Sequence, residues 1–149
     1  MRRFALLVVL LCCLFASTTA QEVMVGATDT ESYMPLVEGK RVAILANHTA
    51  MYSSEEHIVD MMHREGVNIV GIFSPEHGFR GSVEAGEKVK NSVDERTGIP
   101  IFSLYDGNTQ RPSDDVMRSF DTLVVDMQDV GLRFYTYYIS MVRMIDACA

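Results

Sequence analysis

The chain has 149 residues, 48% of them hydrophobic and 22% charged, which suits a packed globular protein and excludes a disordered one. Its formal charge of −7 argues against nucleic acid and anionic membrane surfaces as partners, because binding to either depends on Lys and Arg. Three cysteines are present, two of them adjacent near the start, so no disulfide framework is expected.

Residues 1–20 read as a signal peptide. Arg2 and Arg3 form a basic start, Phe4 to Ala16 an apolar stretch, and Ser17-Thr18-Thr19-Ala20 a small-residue cleavage site. The apolar run falls short of the about 20 residues that a spanning helix needs. Export to the periplasm or outside is therefore expected, with no stable membrane insertion after cleavage. The mature chain would then hold 20 acidic residues against 11 basic ones, a net charge of −9. Cys12 and Cys13 leave with the signal. Leu10 and Leu11 before them are too bulky for a lipoprotein acylation site, so no lipid anchor is expected. Cys148 is left without a partner, and stability must come from the core.

Residues 21–40 form a lead-in of mixed polarity that ends in the turn Glu38-Gly39-Lys40. The domain proper spans 41–149. Its first strand, Arg41 to Ala46, is apolar enough to be buried on both faces and exits into Asn47-His48-Thr49. Ser53 with Glu56 matches a capping box and predicts a helix start there. Ile58, Met61, Met62 and Val67 supply that helix's buried face. His57 and His63, six residues apart, do not share a face and read as surface residues. A second strand, Val67 to Phe73, is stopped by Pro75. It opens into Ser74-Pro75-Glu76-His77-Gly78-Phe79-Arg80-Gly81, where two glycines allow a tight turn.

Gly81 to Pro100 reads as a long, irregular, mobile surface loop. A third strand, Ile101 to Tyr105, precedes the turn Asp106-Gly107-Asn108 and a short helix over Pro112 to Phe120. Asp121 to Met127 is the fourth strand, leaving through Gln128-Asp129-Val130-Gly131-Leu132-Arg133. The last helix carries Phe134, Tyr138, Met141, Ile145 and Cys148 at helical spacing, which predicts that these residues are its buried stripe. That stripe still runs at Cys148 without a stop signal, so a longer protein is expected to continue beyond Ala149. Strands alternating with helices predict an α/β fold with a Rossmann-like, mostly parallel sheet and flanking helices.

In open α/β sheets ligands bind beyond the carboxyl ends of the strands. Three predicted strand ends bring polar groups to that edge: Asn47 and His48; Glu76, His77 and Arg80; Asp126, Gln128, Asp129 and Arg133. No phosphate loop, dinucleotide fingerprint or Gly-x-Ser-x-Gly elbow is present, so no cofactor and no serine hydrolase is expected. Glu76 is the best candidate acid. Placed beside Phe73 and Phe79, its carboxyl would be desolvated and would hold a proton near neutrality, as protonation of a leaving-group oxygen requires. His77 either orients Glu76 or bonds only to backbone. Asp126 and Asp129 are candidates for the partner carboxylate of glycoside hydrolysis, with a turn or cap role as the alternative for Asp129. Arg80 and Arg133 suit a bidentate grip on a substrate carboxylate. Tyr135 and Tyr137, off the predicted stripe, suit the wall of a cleft.

The segments SPEHGFRG, GIPIFSLYDG and VVDMQDVGLRFYTYYISM resemble the NamZ-type exo-β-N-acetylmuramidases, glycoside hydrolase family 171, over roughly Lys40 to Ala149. The resemblance implies a secreted or periplasmic enzyme that removes terminal N-acetylmuramic acid from the non-reducing end of peptidoglycan fragments, in a cleft between a Rossmann-like domain and a smaller second domain. It implies that Glu76 is one of two catalytic glutamates. The other has no counterpart here and is expected past Ala149, as is the second domain. Two other readings use the same residues. One is a metal-dependent hydrolase with His48, Glu76, His77 and Asp126 or Asp129 as ligands, though no paired histidine spacing supports it. The other is a module that binds cell-wall fragments without turnover.

Overall fold

The computed structural model describes residues 23–84, 86–107 and 111–149; the predicted signal and Asn108 lie outside them. A 3-10 turn at Gly26–Thr28 leads into α1 (Thr30–Val37), a helix the mixed polarity of the lead-in did not disclose. Then follow β1 (Val42–Ala46), α2 (Ile58–Arg64), β2 (Ile69–Ser74), β3 (Ser92–Val93), β4 (Pro100–Ser103), α3 (Asp114–Met117), β5 (Thr122–Asp126) and α4 (Thr136–Cys148).

The five strands form one sheet in the order β3-β4-β2-β1-β5. β4, β2, β1 and β5 run parallel, and β3 lies antiparallel on β4. The mostly parallel α/β sheet is as the alternating pattern predicts. β1 occupies an inner position because Val42-Ala43-Ile44-Leu45-Ala46 has no polar side to expose. From β1 the chain steps through β2 to β4, then returns to place β5 on the other flank. The strand order therefore reverses between β1 and β5, where open sheets form their crevice.

Alternate residues of β1 serve two cores. Val42, Ile44 and Ala46 pack on α2 through Ile58, Val59, Met61 and Met62, with Ile72 and Phe79. Ala43 and Leu45 join Phe73, Leu104 and Met144 of α4 on the opposite face. At the amino ends, Arg41 clamps Asp121 through its backbone N–H, Nε and Nη2, tying β1 to β5.

Several local expectations are corrected. Ser53 does accept from the Glu56 N–H at 3.1 Å, but the segment closes as a turn, with Tyr52 N donating to Glu56 O. The helix starts at Ile58. Its cap is His57, whose Nδ1 accepts from Val59 N at 3.2 Å, and which is 5% exposed rather than on the surface. The stretch from Gly81 to Pro100 is not wholly irregular: it contains β3, and Asp94 within it is buried. The predicted helix over Pro112 to Phe120 is a single turn capped by Ser113.

The last helix has the predicted period but buries another face. Tyr137 and Met144 are inside, with Met141 half-buried between them, whereas Phe134 is 82% and Ile145 55% exposed. Tyr138 and Cys148 are exposed as well. Both sides of α4 are apolar, and contact with Phe73 and Leu45 selects the Tyr137–Met144 side. No helix among the described residues is long and apolar enough to cross a membrane.

Candidate active site

β2 ends at Ser74, and the next residues turn sharply. Gly78 N donates to Pro75 O at 3.1 Å, and both His77 (φ 70°) and Gly78 (φ 78°) are left-handed. A non-glycine residue with such a φ is uncommon and persists only where its surroundings hold it. Here His77 Nδ1 donates to Val83 O at 3.2 Å, and Val83 N returns a bond to His77 O at 3.1 Å. Of the two roles open to His77, backbone bonding is the one the geometry displays. Gly81, at φ +71°, lies so close to His48 that a β-carbon there would come within 3.0 Å of the imidazole. The β1 and β2 exits are thereby locked side by side.

Glu76 is half-buried at the head of this turn, and its Oε1 accepts from Gly86 N at 3.2 Å. The two phenylalanines expected to flank it are engaged elsewhere. Phe73 meets Phe102 and Phe120 in the α4-side core, and Phe79 meets His57 and Arg80 on the α2 side. The aromatic neighbours of the turn come instead from α4. Tyr137 stands edge-on to His77, with centroids 6.5 Å apart, and to Tyr135 at 5.1 Å.

Asn47, the first residue after β1, is fully buried. Its Oδ1 accepts from both Thr49 N (3.0 Å) and Thr49 Oγ1 (2.6 Å), which settles the orientation of the amide. Its Nδ2 has no hydrogen-bond partner. Burial pushes the Tyr137 phenol up, the Asn47 side chain opposes this, and the charges of Tyr135 and Glu76 push it up further. Asn47, Glu76, His77, Tyr135 and Tyr137 thus share one corner of the sheet edge. Thr49, which orders Asn47 and also accepts from Gln128 N at 2.9 Å, was missed; the Asn-x-Thr spacing after a strand was its signal.

Other predicted site residues stand apart. Arg80 is not available to a substrate carboxylate. Its Nε and Nη2 donate to Asp94, both at 2.8 Å, and its Nη1 and Nη2 donate to Asp60 at 3.0 and 2.7 Å. The bonds from Arg80 hold the Asp60 carboxyl below its usual range. Burial raises Asp94, but Arg80 and Thr97 outweigh it and bring that carboxyl down too. Asp126, the residue paired with Ala46, falls on the α2 face. It lines a 670 Å³ hollow with Tyr33, Thr49, Ile58 and Met62. Its Oδ2 is buried without a partner, and burial raises its pKa while His57 opposes this.

Asp129 has the cap role: its Oδ1 accepts from Gly131 N at 2.7 Å, and its Oδ2 from Tyr138 N at 3.1 Å in the first turn of α4. Glu76 shares no hydrogen-bond partner with either aspartate among the described residues. His48, Gln128 and Arg133 are exposed, and no ion pair holds Arg133 among the described residues. Nor do any three His, Cys, Asp or Glu among the described residues gather so that they could hold a metal ion, so the metal-site reading gains no support.

A family profile described as "Exo-beta-N-acetylmuramidase NamZ, N-terminal" matches residues 42–149. The chain is 37% identical over 116 residues to the peptidoglycan β-N-acetylmuramidase NamZ of Bacillus subtilis, covering 77% of this chain and 28% of that one. Among solved structures it resembles two DUF1343 family proteins of Bacteroides fragilis. One has a TM-score of 0.72 at 50% identity, covering 87% of this chain and 32% of that one. The other has a TM-score of 0.71 at 36% identity, covering 80% of this chain and 29% of that one. The chain therefore spans about a third or less of the length of these relatives. The long match over the whole sheet, with both strand exits inside it, shows that this chain belongs to the family of the exo-β-N-acetylmuramidase NamZ N-terminal region.

Proposed function

We propose that the protein is an exo-acting glycoside hydrolase that releases terminal N-acetylmuramic acid from peptidoglycan fragments, with Glu76 as its general acid/base. The observation that carries this reading is the corner just described. A half-buried carboxyl at the exit of an inner parallel strand is held by one backbone N–H, next along the chain to a left-handed His77 whose ring meets Tyr137 edge-on. The Bacillus subtilis relative, a peptidoglycan β-N-acetylmuramidase, agrees in reaction class. An acid in this place can protonate the glycosidic oxygen of a sugar at the sheet edge, while His77 and Gly78 give the turn its shape. Exposed Arg133 and half-buried Tyr135 supply polar and aromatic surface for the saccharide. The reading places the protein in the periplasm or outside, where its substrate is.

The experiment is the full-length protein acting on a chromogenic N-acetylmuramide, wild type against Glu76→Gln. Loss of turnover with retained folding is expected. A Glu76→Gln protein with near wild-type kcat would remove Glu76 from the mechanism.

A further inference from the structure

Resting on that reading of Glu76, we propose that Lys88 and Arg143 form the subsite that grips the carboxylate of the substrate's lactyl ether, and so select N-acetylmuramic acid over sugars without one. Both side chains line a 640 Å³ hollow, together with Arg111 and Asp146. In a chain of net charge −7, three cations against one anion among the described residues of one hollow is a local reversal of sign. Gly86 lines the same hollow, and its N–H is the one that donates to Glu76 Oε1 at 3.2 Å. The hollow therefore begins a single hydrogen bond away from the candidate acid. Its walls are held in place. Val89 N donates to Tyr105 O at 3.0 Å, which ties the stretch bearing Lys88 to the exit of β4. Arg143 precedes Met144, whose burial in the core fixes that part of α4. Gly107, at φ +83°, leaves the room that Lys88 takes up: a β-carbon there would come within 2.7 Å of Lys88 Cε and 3.0 Å of its Nζ.

The cations differ in what they already hold. Arg111 is paired with Asp114 at 2.8 Å, whereas Lys88 and Arg143 make no ion pair or side-chain hydrogen bond among the described residues. Arg133, also without an ion pair, does not line the hollow. A guanidinium meets both oxygens of a carboxylate at once, and an ammonium adds a point charge beside it. Lys88 and Arg143 against Asp146 leave one positive charge, which a bound carboxylate cancels. The filled hollow thus does not draw the proton from the neighbouring acid.

The test is calorimetric titration of the full-length protein with N-acetylmuramic acid and with N-acetylglucosamine, which differ only in the lactyl ether. The wild type is expected to bind the first more tightly by about tenfold or more. Lys88→Gln and Arg143→Gln should each weaken N-acetylmuramic acid by about tenfold and leave N-acetylglucosamine unchanged, and the double variant should lose the preference. Arg143→Lys keeps the charge without the planar fork and should recover part of the loss. Both side chains are exposed, so the variants should keep the wild-type melting temperature. On a chromogenic N-acetylmuramide KM should rise while kcat holds. A wild type with no measurable preference between the two sugars, or a double variant that keeps the preference, overturns the proposal. Binding is read without turnover, so the two readings fail separately. An active Glu76→Gln protein beside variants that lose the preference removes the catalytic role alone; an inactive one beside variants that keep it removes this subsite alone.

Discussion

Two polar networks flank the inner strands, and they differ in how completely they are satisfied. On the α2 side, His57 uses both ring nitrogens, donating from Nε2 to Asn47 O at 2.9 Å and accepting at Nδ1 from Val59 N. Arg80 is likewise spent on Asp60 and Asp94, with Phe79 stacked 4.5 Å from its guanidinium carbon. At the carboxyl edge facing α4, Asn47 keeps an unused donor and Glu76 holds one backbone bond. The first network joins a turn, a helix and the stretch between β2 and β4 into one body. The second has capacity left for a ligand. A charged residue near a candidate site is therefore no guide to chemistry until its partners are counted.

The comparison breaks first at Glu76. Glu76→Gln should lower kcat on a muramide by about 10²–10⁴-fold with little change in melting temperature; a comparable loss of stability would move Glu76 into the structural network. Arg80→Ala should do the reverse. It leaves Asp94 buried with only the bonds from Thr97 and Asp60 with only the exposed Arg96, and should cost about 3 kcal/mol in denaturant unfolding. A chain that kept its stability but bound substrate more weakly would return Arg80 to the site.

The neutral ring of His57 makes a smaller, pH-dependent prediction. Burial lowers its pKa below the ordinary 6.5, with the bond to Asn47 O opposing. The unfolded chain then takes up the proton first, so stability present above pH 6.5 is lost as pH falls from there toward the folded value. His57→Asn retains a capping side chain and should flatten this slope in melting curves taken between pH 7 and 5. The smallest effect is Ser113→Ala, which removes the cap of the one-turn α3 and should cost about 1 kcal/mol without touching activity.

Much of the architecture was legible in the residues alone. The apolar runs at Val42–Ala46 and Ile69–Ser74 are strands because burial on both faces demands such composition, Thr122–Asp126 adds a half-buried edge strand, and the polar residues after each one mark the edge where they exit. Glu76, Asn47 and His77 were singled out as candidates this way. Less visible was the division of those exits by the pleat. Asp126 pairs with Ala46, so it faces α2, while Asn47, one residue further along the chain, turns toward α4. A shift of one position decided which residues share a corner. The Ser53–Glu56 pattern misled for a related reason: its hydrogen bond forms, but the segment closes as a turn, and the helix begins only at Ile58, whose N–H donates back to Ala50 O.

By itself the sequence determined the positions of the four parallel strands, the polar character of the carboxyl edge and the family, all of which reside in short-range pattern and composition. Only the tertiary structure decided that Arg80 belongs to Asp60 and Asp94, that His57 is an internal cap, and that α4 buries Tyr137 and Met144 instead of Phe134 and Ile145. Periodicity says how a segment is wound. Which of two apolar faces turns inward, and which acid meets which base, depends on groups 14 or 20 residues distant that folding brings within 3 Å.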